Sequence, residues 1–357
     1  MLSPSADRME LQVTLDGVPV EGLLHASIVA SNCFSSDSYA LTFAMGSSPL
    51  SDIGFWSSLA SAYVEIVPTS ESDPASQGLI SGMIDTLIVD PIQQTVVIEG
   101  RDLSSTLIDS YRQQDFVNQT GSEVVSNIAL YHGLTPVVTP TTGEVGRYYG
   151  DGYTRLSLGQ FSRLRSDWDL VVQLARENSF DVFVQGTSLF FQPSPLWDGL
   201  PVHIALRDVK TMRFDQTLTL ASSAIARVQS WNSQNMASYA SSSTDDGAGS
   251  ARSSATLGNQ PFLFSASNFT SQQVVDSAGR YAAELGRLGT VLHIEMPWDL
   301  RLGPRITVIV DETNSLLDAV YRIESIERHY GTNSGSSQII RAVRVINDAK
   351  SLLQTVI

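Results

Sequence analysis

Apolar and polar side chains alternate with a period of two along the first hundred residues, as in strands that bury one face. Leu11, Val13 and Leu15 are separated by single polar residues, and Asp16-Gly17 then favours a tight turn into a returning strand. Further elements are predicted as a short helix around Trp56 and strands at 23–30, 39–45, 63–67, 79–89 and 96–100. Closely spaced strands joined by turn residues predict a small β-barrel or sandwich over residues 1–103.

The period changes to that of amphipathic helices after residue 103. The predicted elements are a helix over 103–109 capped by Asp102, a helix opened by a capping box of Thr120 and Glu123, a helix over 167–178 capped by Ser166, and a hairpin of two runs at 180–184 and 189–191. The segment 104–200 is therefore predicted to form a small α+β domain.

Strand patterns return after residue 200. They are predicted at 203–206, 207–214, 225–231, 291–296, 305–310, 319–327 and 338–346. A helix capped by Thr270 is predicted to run to Arg287. The segment 232–258 is rich in Ser, Ala, Gly and Asn and has little to bury, which predicts a long flexible loop that proteases cut first. Residues 201–357 are thus predicted to form a second β domain.

The chain of 357 residues is acidic, with a formal net charge of −15 and only 22 Lys and Arg residues. Its length fits two or three domains, and its 42% hydrophobic and 17% charged residues describe a folded chain. Such a charge argues against gripping nucleic acid, because that binding depends on Lys and Arg at phosphates. It is compatible with passing nucleic acid through a channel without adhesion.

Cys33 is the only cysteine, which excludes an intrachain disulfide and a cysteine-based zinc site. The first residues lack the basic and apolar regions of a signal peptide, and no apolar run approaches the ~20 residues of a membrane helix. We therefore expect a soluble protein that folds in a cytoplasm and does not insert into a membrane.

The candidate chemical groups do not form a recognisable site. Five histidines lie far apart without metal-site spacing, and each is interpreted as a surface or helix-end residue: His25, His132, His203, His293 and His329. Neither a G-x-S-x-G nucleophile elbow nor a G-x-x-x-x-G-K phosphate loop occurs. No cofactor-binding or metal-binding residue is predicted.

Paired carboxylates for glycoside hydrolysis need no fixed spacing in sequence. The candidates are Asp85, Asp90, Glu99, Asp102, Asp167 and Asp169. Their simpler interpretation is as residues of strand ends, turns and caps, with Asp102 capping a helix and Arg101 pairing locally. Four rings are available for stacking on sugars, but each lies at an element boundary, which favours core or interface packing: Trp168, Trp197, Trp231 and Trp298. We expect no catalytic residue and no enzymatic activity.

The segment from Val96 to Leu134 reads VVIEGRDLSSTLIDSYRQQDFVNQTGSEVVSNIALYHGL. Its EGRDLSSTLIDS run and its F-x-N-x-T-x-x-E-V-V-x-x-I-A-x-x-H-G-L pattern resemble the baseplate hub proteins of contractile phage tails. This is the late control protein D family, whose fold is shared with the hub part of type VI secretion spikes. The likeness continues in DWDLVVQLAREN with GTSLFFQP, in LRDVKTMRFDQTLT with IARVQSWN, and in LHIEMPWDLRLGPRITVIV with AVYRIESIERHYG. The family usually has Pro-Gly where this chain has Leu302-Gly303-Pro304.

The resemblance implies a β-rich α+β chain with two tube-like β-barrel domains, 1–103 and 201–357, flanking the α+β domain 104–200. It implies a homotrimer, in which three chains form a ring that adapts a sixfold tail tube to a threefold spike and lets DNA pass without specific binding. The implied partners are the tail spike protein as a separate polypeptide, the tail tube or tube-initiator protein, and other baseplate proteins. The location implied is the tail baseplate of a virion, assembled in the cytoplasm of a bacterial host.

Two further expectations follow from this interpretation. A ring that passes DNA without binding it should have a net acidic inner surface, with arginines concentrated at subunit contacts. The alternative function, from a different class, is a cell-wall hydrolase or carbohydrate-binding module of a tail.

Overall fold

A computed structural model describes residues 10–46, 52–69, 78–111, 116, 119–142, 144–145, 166–193, 201–218, 224–232, 236–245, 261–267 and 269–346. The chain divides into two compact units. The first comprises Met1–Gly146, Leu156–Ser194 and Ser325–Gln338, and the second comprises Arg147–Arg155, Pro195–Glu324 and Ile339–Ile357. The units are described separately below, by their described residues.

A large antiparallel sheet dominates the first unit. Its strands are β1 (Glu10–Leu15), β2 (Val18–Val20), β3 (Leu23–Ser31), β4 (Ser38–Ala44), β5 (Tyr63–Thr69), β6 (Ile80–Asp90), β7 (Thr95–Asp102) and the part of β20 (Ala319–Gly331) from Ser325 onward. Their order is β20-β3-β4-β7-β6-β5-β1-β2. Asp16 and Gly17 have φ values of 47° and 79°, so the predicted tight turn joins β1 to β2.

The alternation seen in the sequence becomes a two-faced sheet. Val13, Leu41 and Ile98 belong to one buried core with the other inward residues of the sheet and with Trp56 of helix α1 (Ile53–Ser58). The opposite set of side chains forms what we call the open face. The strand that was predicted to stop at Gly100 continues to Asp102, because Arg101 still pairs with Ser38 of β4.

The helices of the first unit are α2 (Ser104–Ile108), α3 (Gly121–Tyr131) and α4 (Asp167–Asn178). They share a core with β9 (Thr135–Val138), β11 (Phe180–Gln185) and β12 (Ser188–Pro193), which form a sheet in the order β11-β12-β9. The short strands β8 (Gln119–Thr120) and β10 (Glu144–Val145) pair with each other. The capping boxes predicted at Thr120 and the cap predicted at Ser166 are confirmed.

The second unit contains two sheets and one long helix. Its elements are β13 (Val202–His203), a 3-10 helix (Leu206–Asp208), β14 (Thr211–Gln216), β15 (Ala224–Asn232), β16 (Ala237–Asp245), β17 (Phe262–Ser267), α5 (Ser271–Arg287), β18 (Thr290–Pro297), β19 (Thr307–Val310), the first part of β20, and the part of β21 (Gly335–Ile346) from Ile339 onward. One sheet has the order β14-β18-β21-β20-β19-β13, and the other has the order β16-β15-β17.

Two predictions for this unit are wrong. The strands predicted at 203–206 and 207–214 are interrupted by the 3-10 helix, in which Asp208 N–H bonds back to the Ala205 carbonyl oxygen. Part of the predicted flexible loop 232–258 is the strand β16, which pairs with β15 over its full length from Ala237 to Asp245. Pairing with β15 stabilises this segment although it has little apolar content. The rest of the predicted loop from 246 to 258 lies outside the described residues.

The structure is strand-rich with large antiparallel sheets, which agrees with the predicted β-rich class. Compact units need not coincide with domains, so the division at 103/104 and 200/201 stays a prediction.

Candidate functional site

Asp102 lies at the end of β7 and organises the turn into α2. Its Oδ1 accepts the Ser104 N–H at 3.2 Å and the hydroxyl groups of Ser104 at 2.5 Å and Ser36 at 2.6 Å. Leu103 occupies the N-cap position of α2. Asp102, which was predicted to be the N-cap residue, therefore lies one residue before it. Burial raises the pKa of the Asp102 carboxyl group, against the opposing effect of these hydrogen bonds. These contacts indicate a structural carboxylate.

Arg101 pairs locally, as predicted. Its Nε lies 2.6 Å from Asp85 Oδ2, and its Nη2 lies 3.0 Å from Asp85 Oδ1 and 2.8 Å from Asp109 Oδ2. Asp85 is the extra residue where the register of β6 against β7 shifts. Hydrogen bonds to Asp85 and then Asp109 raise the pKa of the Arg101 guanidinium group. Two carboxylates therefore compensate this cation, which reduces its attraction for a phosphate.

One cluster of the first unit consists of Ser110, His132 and Asp167. These three residue types form the catalytic triad of many hydrolases. The geometry differs from a catalytic triad, because Ser110 Oγ and His132 Nε2 both contact the same atom, Asp167 Oδ2, at 3.0 and 2.8 Å. A triad needs the serine hydroxyl on the histidine, which serves as its base. The His132 and Asp167 side chains are each 8% exposed. The cluster ties the C-terminal end of α3 to the first turn of α4.

Sequence reasoning interpreted His132 and Asp167 separately, as helix-end residues, and did not bring them together. The signal available was that His132 follows the last turn of α3 and Asp167 opens α4, where a cation and an anion respectively favour the helix dipole. Pairing the two ends required knowledge of how α3 and α4 pack.

Three of the other four histidines each pair with a single carboxylate, and these three pairs are separate from one another. His203 lies 2.6 Å from Asp311, His293 3.3 Å from Asp215, and His329 3.2 Å from Glu327. Across the described residues, no three His, Cys, Asp or Glu side chains are grouped so that they could hold a metal ion. None of the described helices combines the length and apolar character that crossing a membrane requires.

Two of the candidate tryptophans, Trp168 and Trp231, lie in different environments. Trp168 is 5% exposed within the core of the first unit, and its Nε1 donates to the Phe34 carbonyl oxygen. Trp231 is 58% exposed on β15 of the second unit. Trp197 lies outside the described residues. A shallow groove beside α3 has no aromatic wall; it is lined by Gln119, Ser122, Glu123, Ser126, Asn127, Val138 and Pro140.

The open face of the first unit is built from small side chains at its centre. Ser27 of β3 lies opposite Ala40 of β4, which lies opposite Glu99 of β7, which in turn lies opposite Thr86 of β6. In the adjacent row, His25 pairs with Thr42. Because side chains alternate along each strand, none of these residues contributes to the core beneath the sheet.

The charge of the open face is mainly negative. Its acidic members lie on five strands of the sheet: Glu10, Glu65, Asp85, Asp90, Glu99 and Glu327. Arg101 is its one arginine among the described residues, and Asp85 and Asp109 bind it. The face therefore carries small side chains beside Glu99 at its centre, and its net charge is negative.

The comparisons with known proteins agree on the fold. A scan against protein-family models and a search of curated proteins give no match. The prophage MuSo2 43 kDa tail protein from Shewanella oneidensis is similar with a TM-score of 0.69 at 15% identity, over 94% of this chain and 98% of that chain. A tail protein from Neisseria meningitidis MC58 is similar with a TM-score of 0.67 at 13% identity, over 94% and 96%.

A third similar structure comes from a secretion system. The Escherichia coli c3393 protein is a component of the type VI secretion system and has structural similarity to the T4 bacteriophage tail proteins gp27 and gp5. It matches with a TM-score of 0.55 at 11% identity, over 93% of this chain and 76% of that chain. The chain thus has the fold of phage tail proteins and of this type VI secretion component. The predicted resemblance to hub-type proteins is confirmed at the level of fold.

Proposed function

We propose that this protein is a structural hub of a contractile phage tail baseplate or of a related injection machine. Three copies form a ring that joins a sixfold tail tube to a threefold central spike, and DNA passes through the ring. Each chain contributes two tube-like β-barrel domains, so that three chains present six similar units to the tube. The partners are the spike protein, the tube or tube-initiator protein, and other baseplate proteins, in a virion assembled in the host cytoplasm.

The observation that carries this proposal is the extent of the fold match. Two tail proteins of prophage or bacterial origin match over almost their whole length and over 94% of this chain. A match of that extent involves nearly the whole of the given chain and not one part of it. It supports an assembly role for the entire chain and not for one module of it.

The open face supports the channel. A wall that passes DNA must avoid the release of counterions that makes basic surfaces bind phosphates. The open face has one arginine among its described residues, and that arginine is held by Asp85 and Asp109. We assign the open face to the channel wall, in line with the acidic inner surface that the sequence predicts.

The contacts of the candidate catalytic groups support a structural role. Asp102 accepts hydrogen bonds from its own turn, and Ser110 and His132 are each bonded to Asp167 Oδ2. The alternative of a hydrolase or sugar-binding module gains no specific observation. That the protein is not an enzyme stays a prediction, which a turbidity assay on purified cell walls tests.

The test of the proposed function is the mass of the full-length chain in solution, alone and with its spike partner, by light scattering and native mass spectrometry. We expect a mass of three chains in at least one of the two samples. A monomer in both samples, at every concentration up to the solubility limit and with the tube protein added, would overturn the ring. A fluorescent linear DNA duplex should show no binding to the trimer at physiological salt.

A further inference from the structure

The sheet of β16, β15 and β17 in the second unit is covered on one face only. Val228 of β15 is buried with Val274 and Ala278 of α5. Phe264 of β17 stacks on Tyr281 of α5 with ring centroids 4.1 Å apart. The helix therefore supplies the core for this face, and the three strands are held in a defined arrangement by it.

The other face of this sheet is exposed and nearly uncharged. Its members alternate with the buried residues along each strand: Arg227, Gln229 and Trp231 of β15, Ser238, Ala240 and Ser242 of β16, and Leu263 and Ser265 of β17. Trp231 is 58% and Leu263 is 68% exposed. Arg227 is the one charged residue in this set, although the chain as a whole has a formal net charge of −15. Exposed aromatic and apolar side chains with few charges are typical of the centre of a protein interface.

Both outer strands of this sheet also have free edges. Among the described residues, β16 and β17 each pair only with β15. An unpaired strand edge is a template for pairing with another chain, and proteins usually protect it with proline, charge or shortness. β17 contains neither a charged residue nor a proline, and β16 contains no proline and no charge before Asp245.

The other terminal strands of the described sheets are protected. Proline interrupts β2 at Pro19 and β9 at Pro136, and β14 carries Arg213 and Asp215. β11 carries the buried acid Asp181, and β13 has only two residues. The absence of such protection in β16 and β17 is thus particular to this sheet.

We infer that this sheet is a contact between copies of the chain, in which the free edge of β17 pairs with the free edge of β16 of the next copy. This inference rests on the proposed ring and names its subunit contact. The occupant is a second copy because the two edges complement each other: β17 is parallel to β15, whereas β16 is antiparallel to it. Continuing the sheet from one copy to the next therefore sets β17 antiparallel to the neighbouring β16.

The contact joins two different strands, so it is heterologous. A heterologous contact forms a closed ring when the rotation that relates neighbouring copies adds up to a full turn. No like charges oppose each other along the strands, because β17 has no charge and β16 has only Asp245 at its end.

The test uses lysine, a residue that proteins place on edges to prevent pairing. Ser265→Lys on β17 and Ser242→Lys on β16 each change an exposed serine, and Thr211→Lys on the charged edge strand β14 is the matched control. We expect each edge variant to weaken trimer formation at least tenfold by light scattering over a concentration series, and the control to match the natural chain. The double variant Ser265→Lys with Ser242→Glu should recover part of the loss, because the two paired edges then carry opposite charges.

A second measurement needs no variant. Hydrogen exchange of the amides in 237–245 and 262–267 should slow when the natural chain passes from dilute monomer to trimer, while the amides of 211–216 should not change. A trimer in which both edge variants keep the natural mass, or in which these amides exchange as in the monomer, overturns the contact and leaves the ring intact. A natural chain that is monomeric with its spike and tube partners refutes the ring itself. Protection that appears only with the spike protein overturns the contact between copies and assigns the sheet to the spike.

Discussion

Tyr39 of β4 covers Gly100 of β7, its direct partner across the two strands. The Tyr39 hydroxyl group passes over Gly100 and donates to the Met83 carbonyl oxygen of β6 at 3.0 Å. A Cβ atom on residue 100 would collide with both the Tyr39 hydroxyl and the Met83 carbonyl oxygen. Because Gly100 has no side chain, the Tyr39 ring can cross β7 and reach β6. Burial raises the pKa of the Tyr39 hydroxyl group.

Gly100→Ala should therefore destabilise the first unit. The added methyl group meets backbone atoms of β6, which cannot rotate away as a side-chain end can. We expect a loss of about 3 kcal/mol in the free energy of unfolding, at the upper end for overpacking. Urea unfolding followed by tryptophan fluorescence measures it.

The matched control is Gly78→Ala, which is exposed and meets only ordinary van der Waals contacts. It should change the stability by less than ~1 kcal/mol. Equal losses for the two variants would contradict the role assigned to the Tyr39–Gly100 pair.

Asp102 should make stability depend on pH in a defined direction. Burial raises the pKa of its carboxyl group above its ordinary value of 3.8. Between that value and the raised one, the folded chain holds a proton that the unfolded chain has released, so this group's contribution to stability falls as pH rises. Asp102→Asn cannot titrate, and its stability relative to the natural chain should rise from about pH 3.8 and then level off.

The measurement is the urea midpoint of both chains at intervals from acid to neutral pH. An Asp85→Asn variant, which changes a half-exposed carboxylate of the same unit, shows whether the effect is specific to Asp102. A stability of Asp102→Asn relative to the natural chain that falls as pH rises would contradict the assigned direction.

His132 and Asp167 should be coupled in stability. Removing one partner of a buried pair leaves the other without its main electrostatic compensation. His132→Leu should lower the free energy of unfolding by about 2 kcal/mol. The loss is smaller than for a buried pair with no other hydrogen bond, because Ser110 still donates to Asp167. The double variant His132→Leu with Asp167→Leu should cost less than the sum of the two single variants. Additive losses in urea unfolding would show that the two side chains do not interact.

Reversing charge on the open face should create affinity for DNA. Glu65→Lys combined with Glu99→Lys turns a net acidic surface towards a basic one, and phosphates then release counterions on contact. Fluorescence anisotropy with a linear duplex should detect binding that weakens steeply with added salt. Glu284→Lys combined with Asp276→Lys, on the exposed side of α5, is the matched control. Equal binding by the two double variants would contradict the assignment of the open face to the channel wall.

Local patterns in the sequence were sufficient for several elements. Thr120, Ser166 and Thr270 each accept a backbone N–H three residues on, and the contact depends only on neighbours in sequence. The Asp16-Gly17 turn is local for the same reason, since both residues adopt positive φ readily. The period of two along β1 to β7 determined which residues enter the core.

Strand β16 could not be predicted from its composition. A run of Ser and Ala has little apolar area and favours a loop by itself. It becomes a strand because β15 supplies hydrogen-bond partners over its nine residues and Tyr239 packs beside the helix core. The partner strand is adjacent in sequence, but its capacity to order β16 depends on α5, which begins at Ser271.

The sequence by itself determined the strand-rich class, the helix starts, the core face of each strand and the excess of acid, because each depends on local order or on composition. Only the tertiary structure decided which charges meet. Arg101 is held by Asp85 across the sheet and by Asp109 from α2, and His132 meets Asp167 over 35 positions of sequence. It also decided that the open face is acidic and that, within the described part of the chain, β16 and β17 pair only with β15, because both depend on which strands become neighbours.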